Sequence, residues 1–210
     1  MPGDRLAPMR GRVRPAVARA DGMAFSTQPY YTAHVTGKAR LLAAAALWLW
    51  AIQPGGAMAF MLSSPAFDPG KPIPKQYTCE GRDVSPPIRW SDVPAKATSL
   101  ALICDDPDAP AGTWVHWVIY DIPAATIELR EAVPPDENLS GGARQGVNDF
   151  RKVGYGGPCP PPGKPHRYFF KLYALDGPTG LEPRATKDDV LKAVKGHVVG
   201  ETQLVGTYQR

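Results

Sequence analysis

The sequence predicts a mainly β fold, a β-sandwich or barrel with one helix at its periphery. The first observation is composition: 24 prolines and 21 glycines among 210 residues disfavour helix interiors, so a helical bundle or coiled coil is a poor fit. The second is a set of short segments rich in aromatic and β-branched residues, which is typical of buried strands. The third is a single well-capped helix near the C-terminus.

The chain begins with a segment that has the order of a secretory signal peptide. Lys38 and Arg40 precede twelve uncharged residues, 41–52, and Gln-Pro-Gly-Gly then breaks any helix before a small-residue site that ends at Ala59. Twelve residues span about 18 Å as a helix, short of a bilayer core of about 30 Å, so a permanent transmembrane anchor is the weaker interpretation. We therefore predict cleavage after Ala59 and export to the periplasm or the medium.

Charge divides the chain at the same place. Residues 1–59 contain seven Lys or Arg and two Asp, whereas residues 60–210 contain 17 basic and 18 acidic residues. The body is nearly neutral, so the overall charge of +4 is no argument for a nucleic-acid partner. The basic stretch before Lys38 is long for a signal peptide, which favours a translation start at Met23 over Met1. Without repeats or low-complexity linkers, residues 60–210 are expected to form one domain.

Five segments after the leader are predicted to be strands. The three clearest are bounded by Pro, Gly or Asp and combine aromatic with β-branched residues, as expected of largely buried strands. They are residues 99–104, 114–122 and 168–175, and the weaker pair are residues 85–90 and 200–208.

One helix is predicted over residues 187–195. Thr186 and Asp189 have the spacing of a capping box, and Gly196 follows as a C-cap residue. Val190, Leu191 and Val194 supply an apolar face. A single helix near the end of a strand-rich domain is expected to pack at the periphery of the sandwich or barrel.

Three cysteines lie after the leader, and export changes how they are interpreted. In an oxidising compartment two can pair and one is left over. Cys79 and Cys159 both lie among turn-forming residues, whereas Cys104 ends an apolar run where a buried free thiol is ordinary. We favour a disulfide between Cys79 and Cys159, and the alternative is three unpaired thiols. No Cys-x-x-Cys pair occurs, so thioredoxin-type chemistry and zinc ribbons have no support.

Polar residues are densest just after the strand 99–104, in the run Asp-Asp-Pro-Asp-Ala-Pro of residues 105–110. The next strand begins at Trp114, and strand alternation places Trp114, His116 and Val118 on one face. His116 then lies beside an indole on an otherwise apolar face. Taken alone, residues 105–110 are as well explained by a rigid turn with capping Asp side chains, and His116 by a core histidine.

A second polar segment is the Gly/Pro-rich loop 154–165, which leads into His166, Arg167 and Tyr168. Proline fixes the backbone and glycine allows close approach, so this loop can form a preformed wall that exposes N–H groups to an anion. His166 and Tyr168 share a face as the chain enters a strand, while Arg167 points towards the surface or an ion pair. The alternative is a proline-rich surface connection with a solvated histidine.

Together the two segments resemble the phosphatidylethanolamine-binding protein family, in its bacterial branch called Raf kinase inhibitor-like. The similarity is carried by Asp-Pro-Asp-Ala-Pro at 106–110, Trp-x-His-Trp at 114–117, and Gly-Gly-Pro-Cys-Pro-Pro at 156–161 followed by His-Arg-Tyr at 166–168. It extends from about Leu62 to Tyr208. The resemblance implies a β-sandwich of two antiparallel sheets with a small anion pocket at one end and a C-terminal helix.

The resemblance also implies which residues form that pocket. Carried over by position, they are Asp106, Asp108, Trp114, His116, Gly157, His166 and Tyr168, with Asp108 holding the turn. Imidazole N–H groups, the tyrosine hydroxyl and loop N–H groups are expected to donate to phosphate oxygens. Asp106 is expected to accept a hydrogen bond from a protonated phosphate or an ammonium.

These features favour a binding module for a small anion or a phosphorylated head group, with no catalytic residue, metal or cofactor. The alternative is an interaction or inhibitor protein that acts on another protein, and a homodimer is left open. A metal-dependent hydrolase ranks last, because the His and Asp spacing matches no ligand motif and neither HExxH nor GxSxG is present. Nucleic acid is not an expected partner.

Overall fold

The computed structural model describes residues 58–210, which form two antiparallel β-sheets and one α-helix. The smaller sheet contains β1 (Met61–Ser63), β2 (Ile88–Ser91) and β5 (Glu128–Leu129), in the order β1-β2-β5. The larger sheet contains β3 (Ser99–Asp106), β4 (Trp114–Pro123), β6 (Arg144–Gln145), β7 (His166–Leu175) and β8 (Val198–Tyr208). Its order is β6-β4-β3-β7-β8, so the polar ends of β3, β4 and β7 meet at one end of the sheet.

The predicted mainly β fold of two antiparallel sheets is confirmed. All five predicted strands are present, although β2 begins three residues later than predicted and β3 and β7 extend two residues further into the polar segments. β3 is buried at every position because both faces of the larger sheet are covered. The predicted signal helix, residues 41–52, and the basic stretch before it lie outside the described residues.

The main core lies between the two sheets. Its largest fully buried side chains include Trp117, Ile119, Phe170 and Leu172 from the larger sheet, and Ile88 from the smaller one. Each such side chain contributes about 1.5–3 kcal/mol through removal from water. The polar residues at the end of the larger sheet are therefore attached to a closely packed core.

The helix covers the other face of the larger sheet. α1 (Lys187–Ala193) begins with the predicted capping box of Thr186 and Asp189, and it ends two residues earlier than predicted. The C-cap residue is Val194, so the predicted C-cap at Gly196 is wrong by two residues, and Gly196 takes the left-handed conformation with φ of +87° in the turn that follows. Val190 is fully buried in a second apolar cluster on this face. Within residues 58–210 no helix has the length and apolar character needed to cross a bilayer.

A β-bulge in β4 changes which side chains share a face. Cys104 pairs with Trp117 but Asp105 pairs with Val115, so His116 is an extra residue without a partner in β3. The prediction that Trp114, His116 and Val118 share one face is therefore wrong for Val118. Val118 lies in the apolar cluster under the helix, because the extra residue shifts the strand alternation by one.

The predicted disulfide between Cys79 and Cys159 is confirmed, with a Cα–Cα distance of 5.4 Å. Both cysteines are exposed, in the 3₁₀ turn region that follows Lys75–Tyr77 and in the Gly/Pro-rich loop. Cys104 is the free thiol, and its burial raises the pKa of this thiol well above the ordinary value. The bridge therefore attaches the Gly/Pro-rich loop to a segment 80 residues earlier in the chain.

Candidate functional site

A cavity of about 340 Å³ lies at the end of the larger sheet where β3 ends and β4 and β7 begin. Its polar lining comes from five of the predicted site residues: Asp106, Trp114, His116, His166 and Tyr168. Its apolar wall comes from the turn after β3, residues 109–111, from Phe150, and from the loop residues 159–161. The fold thus brings together side chains from three strands and two loops that are far apart in the sequence.

Asp106 is the buried carboxylate of the cavity, with 3 % of the residue exposed. Its Oδ1 accepts the backbone N–H of Asp108 at 2.8 Å, which closes a tight turn at the end of β3. Its Oδ2 lies 2.7 Å from Nδ1 of His166, so the imidazole N–H donates to the carboxylate. Asp106 therefore fixes both the turn and the orientation of His166.

His116 is held by two reciprocal bonds to one loop residue. Its Nδ1 lies 2.6 Å from the carbonyl oxygen of Gly156, and the N–H of Gly156 donates to the carbonyl of His116 at 2.9 Å. The ring packs edge-on against Tyr168 and Phe150, with centroid distances of 5.1 and 5.4 Å. Burial lowers the pKa of His116, although the bond to Gly156 and the charge of Asp106 oppose this effect.

Two residues that line the cavity have a buried side-chain donor with no hydrogen-bond partner within residues 58–210. These donors are the indole N–H of Trp114 and the hydroxyl of Tyr168. Burial and the charge of the nearby Asp106 carboxylate, which the hydroxyl approaches without the geometry of a hydrogen bond, raise the pKa of Tyr168, so its hydroxyl stays protonated. Buried polar groups in proteins are normally paired, and each exception requires an explanation. A ligand that accepts hydrogen bonds would supply the missing partner of both groups.

The structure places Asp108 beside the cavity rather than in its lining. Its carboxylate accepts the backbone N–H of Arg167 at 3.0 Å, Nε at 2.8 Å and Nη2 at 2.6 Å. The Arg167 guanidinium lowers the pKa of Asp108 to about 2. Asp108 thus connects the turn after β3 to the start of β7, and Arg167 lies in an ion pair as predicted.

Gly157 also lies outside the cavity lining, and its backbone N–H is already in use. That N–H donates to Oδ1 of Asp83 at 2.7 Å. A Cβ atom at Gly157 would lie 2.5 Å from the carbonyl oxygen of Tyr77, so only glycine allows the loop to pack this closely. Its place in the structure is to position the loop against residues 77–83.

The Gly/Pro-rich loop is held mainly by groups outside it. Residues 158, 160, 161 and 162 are prolines without N–H groups, so this segment can donate few hydrogen bonds of its own. The N–H of Cys79 donates to the carbonyl of Pro158 at 3.1 Å, and the disulfide to Cys159 adds a covalent connection one residue later. Cys79 therefore carries much of the attachment of the cavity wall.

Phe150 is a cavity residue that no sequence motif indicated. It contacts Trp114 and His116 edge-on, with centroid distances of 5.4 Å to both rings. Asp149 positions it, because Asp149 exchanges hydrogen bonds with the backbone of Val115. A loop aromatic shows no periodic pattern, so only the fold reveals its contact. In the part of the chain described, no group of three or more His, Cys, Asp or Glu side chains is arranged to hold a metal ion.

Comparison with known proteins gives a consistent result. Residues 63–209 match the family model described as phosphatidylethanolamine-binding protein. A UPF0098 protein of Methanothermobacter thermautotrophicus is 54 % identical over 149 residues, which cover 71 % of this chain and 98 % of that protein. Among solved structures, the phosphatidylethanolamine-binding protein homologue CT736 of Chlamydia trachomatis has a TM-score of 0.67 and is 41 % identical in sequence. The match covers 72 % of this chain and 98 % of the CT736 chain. The structure of Escherichia coli YbcL has a TM-score of 0.69 and is 32 % identical in sequence. The match covers 73 % of this chain and 99 % of the YbcL chain.

Proposed function

Because the chain belongs to the phosphatidylethanolamine-binding protein family, we propose that its cavity binds a small oxyanion of the phosphate type, free or as a phosphorylated head group. The observation that supports this most directly is the pair of buried donors, Trp114 N–H and Tyr168 O–H, that no group within residues 58–210 satisfies. A buried donor left unpaired costs about 1–3 kcal/mol. A bound oxyanion would offset that cost with bonds to a charged acceptor, each worth about 1.5–3 kcal/mol.

The size of the cavity favours a ligand larger than the anion alone. A water molecule occupies about 30 Å³ in the liquid, and a tetrahedral oxyanion replaces a few of them. A cavity of about 340 Å³ leaves room for a substituent on one oxygen. That substituent would lie against Phe150, Pro160 and Pro161, which are apolar. The proposed ligand therefore has a charged head towards His116 and His166 and a less polar body towards the loop.

We infer binding rather than catalysis from the chemistry of the lining. No serine, threonine or lysine lines the cavity in the described part of the chain, and the lining cysteine, Cys159, is oxidised. These side chains thus provide no hydroxyl of serine or threonine, thiol or amine that an adjacent base could activate as a nucleophile. The exposed disulfide also supports the proposal that the protein is exported, because such bridges persist in oxidising compartments.

Calorimetric titration with inorganic phosphate and phosphoethanolamine tests the proposal, and the chain offers a matched pair of variants. His166 pairs with Asp106 inside the cavity at 2.7 Å, whereas His197 pairs with Asp176 at 2.9 Å on the exposed surface. We expect His166→Ala to weaken binding about tenfold or more through loss of a cavity group, and His197→Ala to leave it unchanged. Absence of binding to the wild-type protein at millimolar ligand contradicts the proposal.

A further inference from the structure

The hydrogen-bond partners of the two cavity histidines determine which ring nitrogen carries hydrogen. A carbonyl oxygen only accepts, so Nδ1 of His116, 2.6 Å from the Gly156 oxygen, must carry the hydrogen. In the neutral ring Nε2 is then a lone-pair acceptor, and it has no hydrogen-bond partner within residues 58–210. His116 lines the cavity, so this acceptor is available to a ligand.

The position of the hydrogen on the His166 ring is also determined by the partner of its Nδ1. This Nδ1–H donates to the Asp106 carboxylate at 2.7 Å, so Nε2 is the ring nitrogen left for a ligand. Asp106 itself only accepts when ionised. The cavity thus combines two accepting groups, Nε2 of His116 and the Asp106 carboxylate, with the two donors of Trp114 and Tyr168. For His116 this reverses the expectation that the imidazole donates an N–H group to the anion.

We propose that the cavity selects an oxyanion that brings its own hydrogen, such as hydrogen phosphate, over one that has none, such as sulfate. The unprotonated oxygens of the ligand accept from Trp114 and Tyr168, and its O–H donates to Nε2 of His116. The hydrogen stays on the ligand and no bond is broken. This inference rests on the proposed function, because it specifies the ligand of the same cavity.

The groups around His116 determine when the selection operates. Asp106 on β3, Asp149 in the loop after β6, and Asp105 on the far side of β3 all favour the protonated ring, and Tyr168 of β7 contacts it without charge. Burial opposes these charges and dominates, so the pKa of His116 lies below its ordinary value. Near neutral pH the ring is uncharged and Nε2 accepts. In acid it gains a hydrogen, and Nε2 becomes a donor that a fully deprotonated anion can use.

Titration of the wild-type protein with inorganic phosphate and with sulfate at two pH values tests this. At about pH 8, above the ordinary pKa of histidine, both ions are mainly dianions of similar size, but only phosphate carries an O–H. We expect phosphate to bind about tenfold more tightly or better. At lower pH sulfate should bind more tightly than at pH 8, with uptake of a proton on binding, measured from the heat in buffers of different ionisation enthalpy.

A variant separates His116 from the other groups. In His116→Gln the side-chain amide can rotate to present either its oxygen or its N–H group, so we expect the preference for phosphate to fall to within about threefold at pH 8. His197→Gln, a surface control, should keep the full preference. Equal affinity of the wild-type protein for both ions at pH 8 overturns the inference while the proposed function stands. If neither ion binds, both fail.

Discussion

Asp105 and Asp106 are neighbours in β3, but their carboxylates lie on opposite faces of the larger sheet. The polar groups near Asp105 are paired, whereas two of those near Asp106 are not. Asp105 is fully buried, and both of its carboxylate oxygens accept hydrogen bonds from lysines. Nζ of Lys171 lies 2.9 and 3.1 Å from Oδ1 and Oδ2, and Nζ of Lys187 lies 2.5 Å from Oδ2. Asp106 is almost as buried, but it faces a cavity in which Trp114 and Tyr168 have unpaired donors.

The difference separates the structural use of charge at Asp105 from the binding use that we propose at Asp106. Lys187 is the first residue of α1, so the ionic cluster at Asp105 attaches the helix to the sheet and leaves no group in that cluster incomplete. Beside Asp106 the buried donors of Trp114 and Tyr168 have no partner within residues 58–210, and the ligand that we propose would supply one. Burial alone does not distinguish the two carboxylates. The two carboxylates differ in whether the polar groups around them have hydrogen-bond partners.

The disulfide offers the largest expected effect on stability. Replacing Cys79→Ser and Cys159→Ser together opens a cross-link between residues 80 apart, for which chain entropy predicts a loss of about 4 kcal/mol. The proline-rich wall depends on this bridge, so phosphate affinity should fall as well. Denaturant unfolding and calorimetry measure the two quantities, with reduced wild-type protein as the control. A loss below about 1 kcal/mol means that the remaining bonds hold the loop without the bridge.

Lys187→Met breaks the ionic cluster on the helix side. It leaves Asp105 fully buried with Lys171 as its single cation, and we expect a loss of about 3 kcal/mol, the low end for a broken buried pair. Lys192→Met on the exposed side of the same helix is the control. Phosphate binding should not change, because the cluster faces away from the cavity. A change in affinity larger than in stability contradicts the division between the two faces.

Asp108→Asn tests the turn beside the cavity and has a smaller effect. The pair with Arg167 is partly exposed, so solvent screening limits its contribution to at most about 1 kcal/mol at neutral pH. The folded-state pKa of Asp108 is lowered to about 2, so this stability is present above the unfolded value of about 3.9 and is lost as pH falls through 2. Wild type and variant should therefore converge in acid unfolding, and a constant difference at all pH values contradicts this assignment.

Sequence reasoning found most of the elements and five of the side chains that line the cavity. β3 and β4 were predictable because their apolar residues are buried on both faces of the sheet, and α1 because Thr186 and Asp189 form a local capping box. The register was not predictable: a single extra residue at His116 moves Val118 to the other face, and no local pattern marks a bulge. The partners of individual groups also depended on the fold, as for the N–H of Gly157, which Asp83 occupies.

Comparing Tyr168→Phe with Tyr173→Phe tests directly whether the unpaired cavity donors bind a ligand. Both remove one hydroxyl from β7, but Tyr168 lines the cavity and Tyr173 packs on the opposite face with the helix cluster. Because the Tyr168 hydroxyl is buried and unpaired, we expect Tyr168→Phe to leave the free energy of unfolding of the ligand-free protein unchanged or higher. Its phosphate affinity should fall about tenfold or more, while Tyr173→Phe keeps wild-type affinity. If Tyr168→Phe instead loses more than about 1 kcal/mol of stability and binds phosphate as well as wild type, the hydroxyl is structural and the account is contradicted.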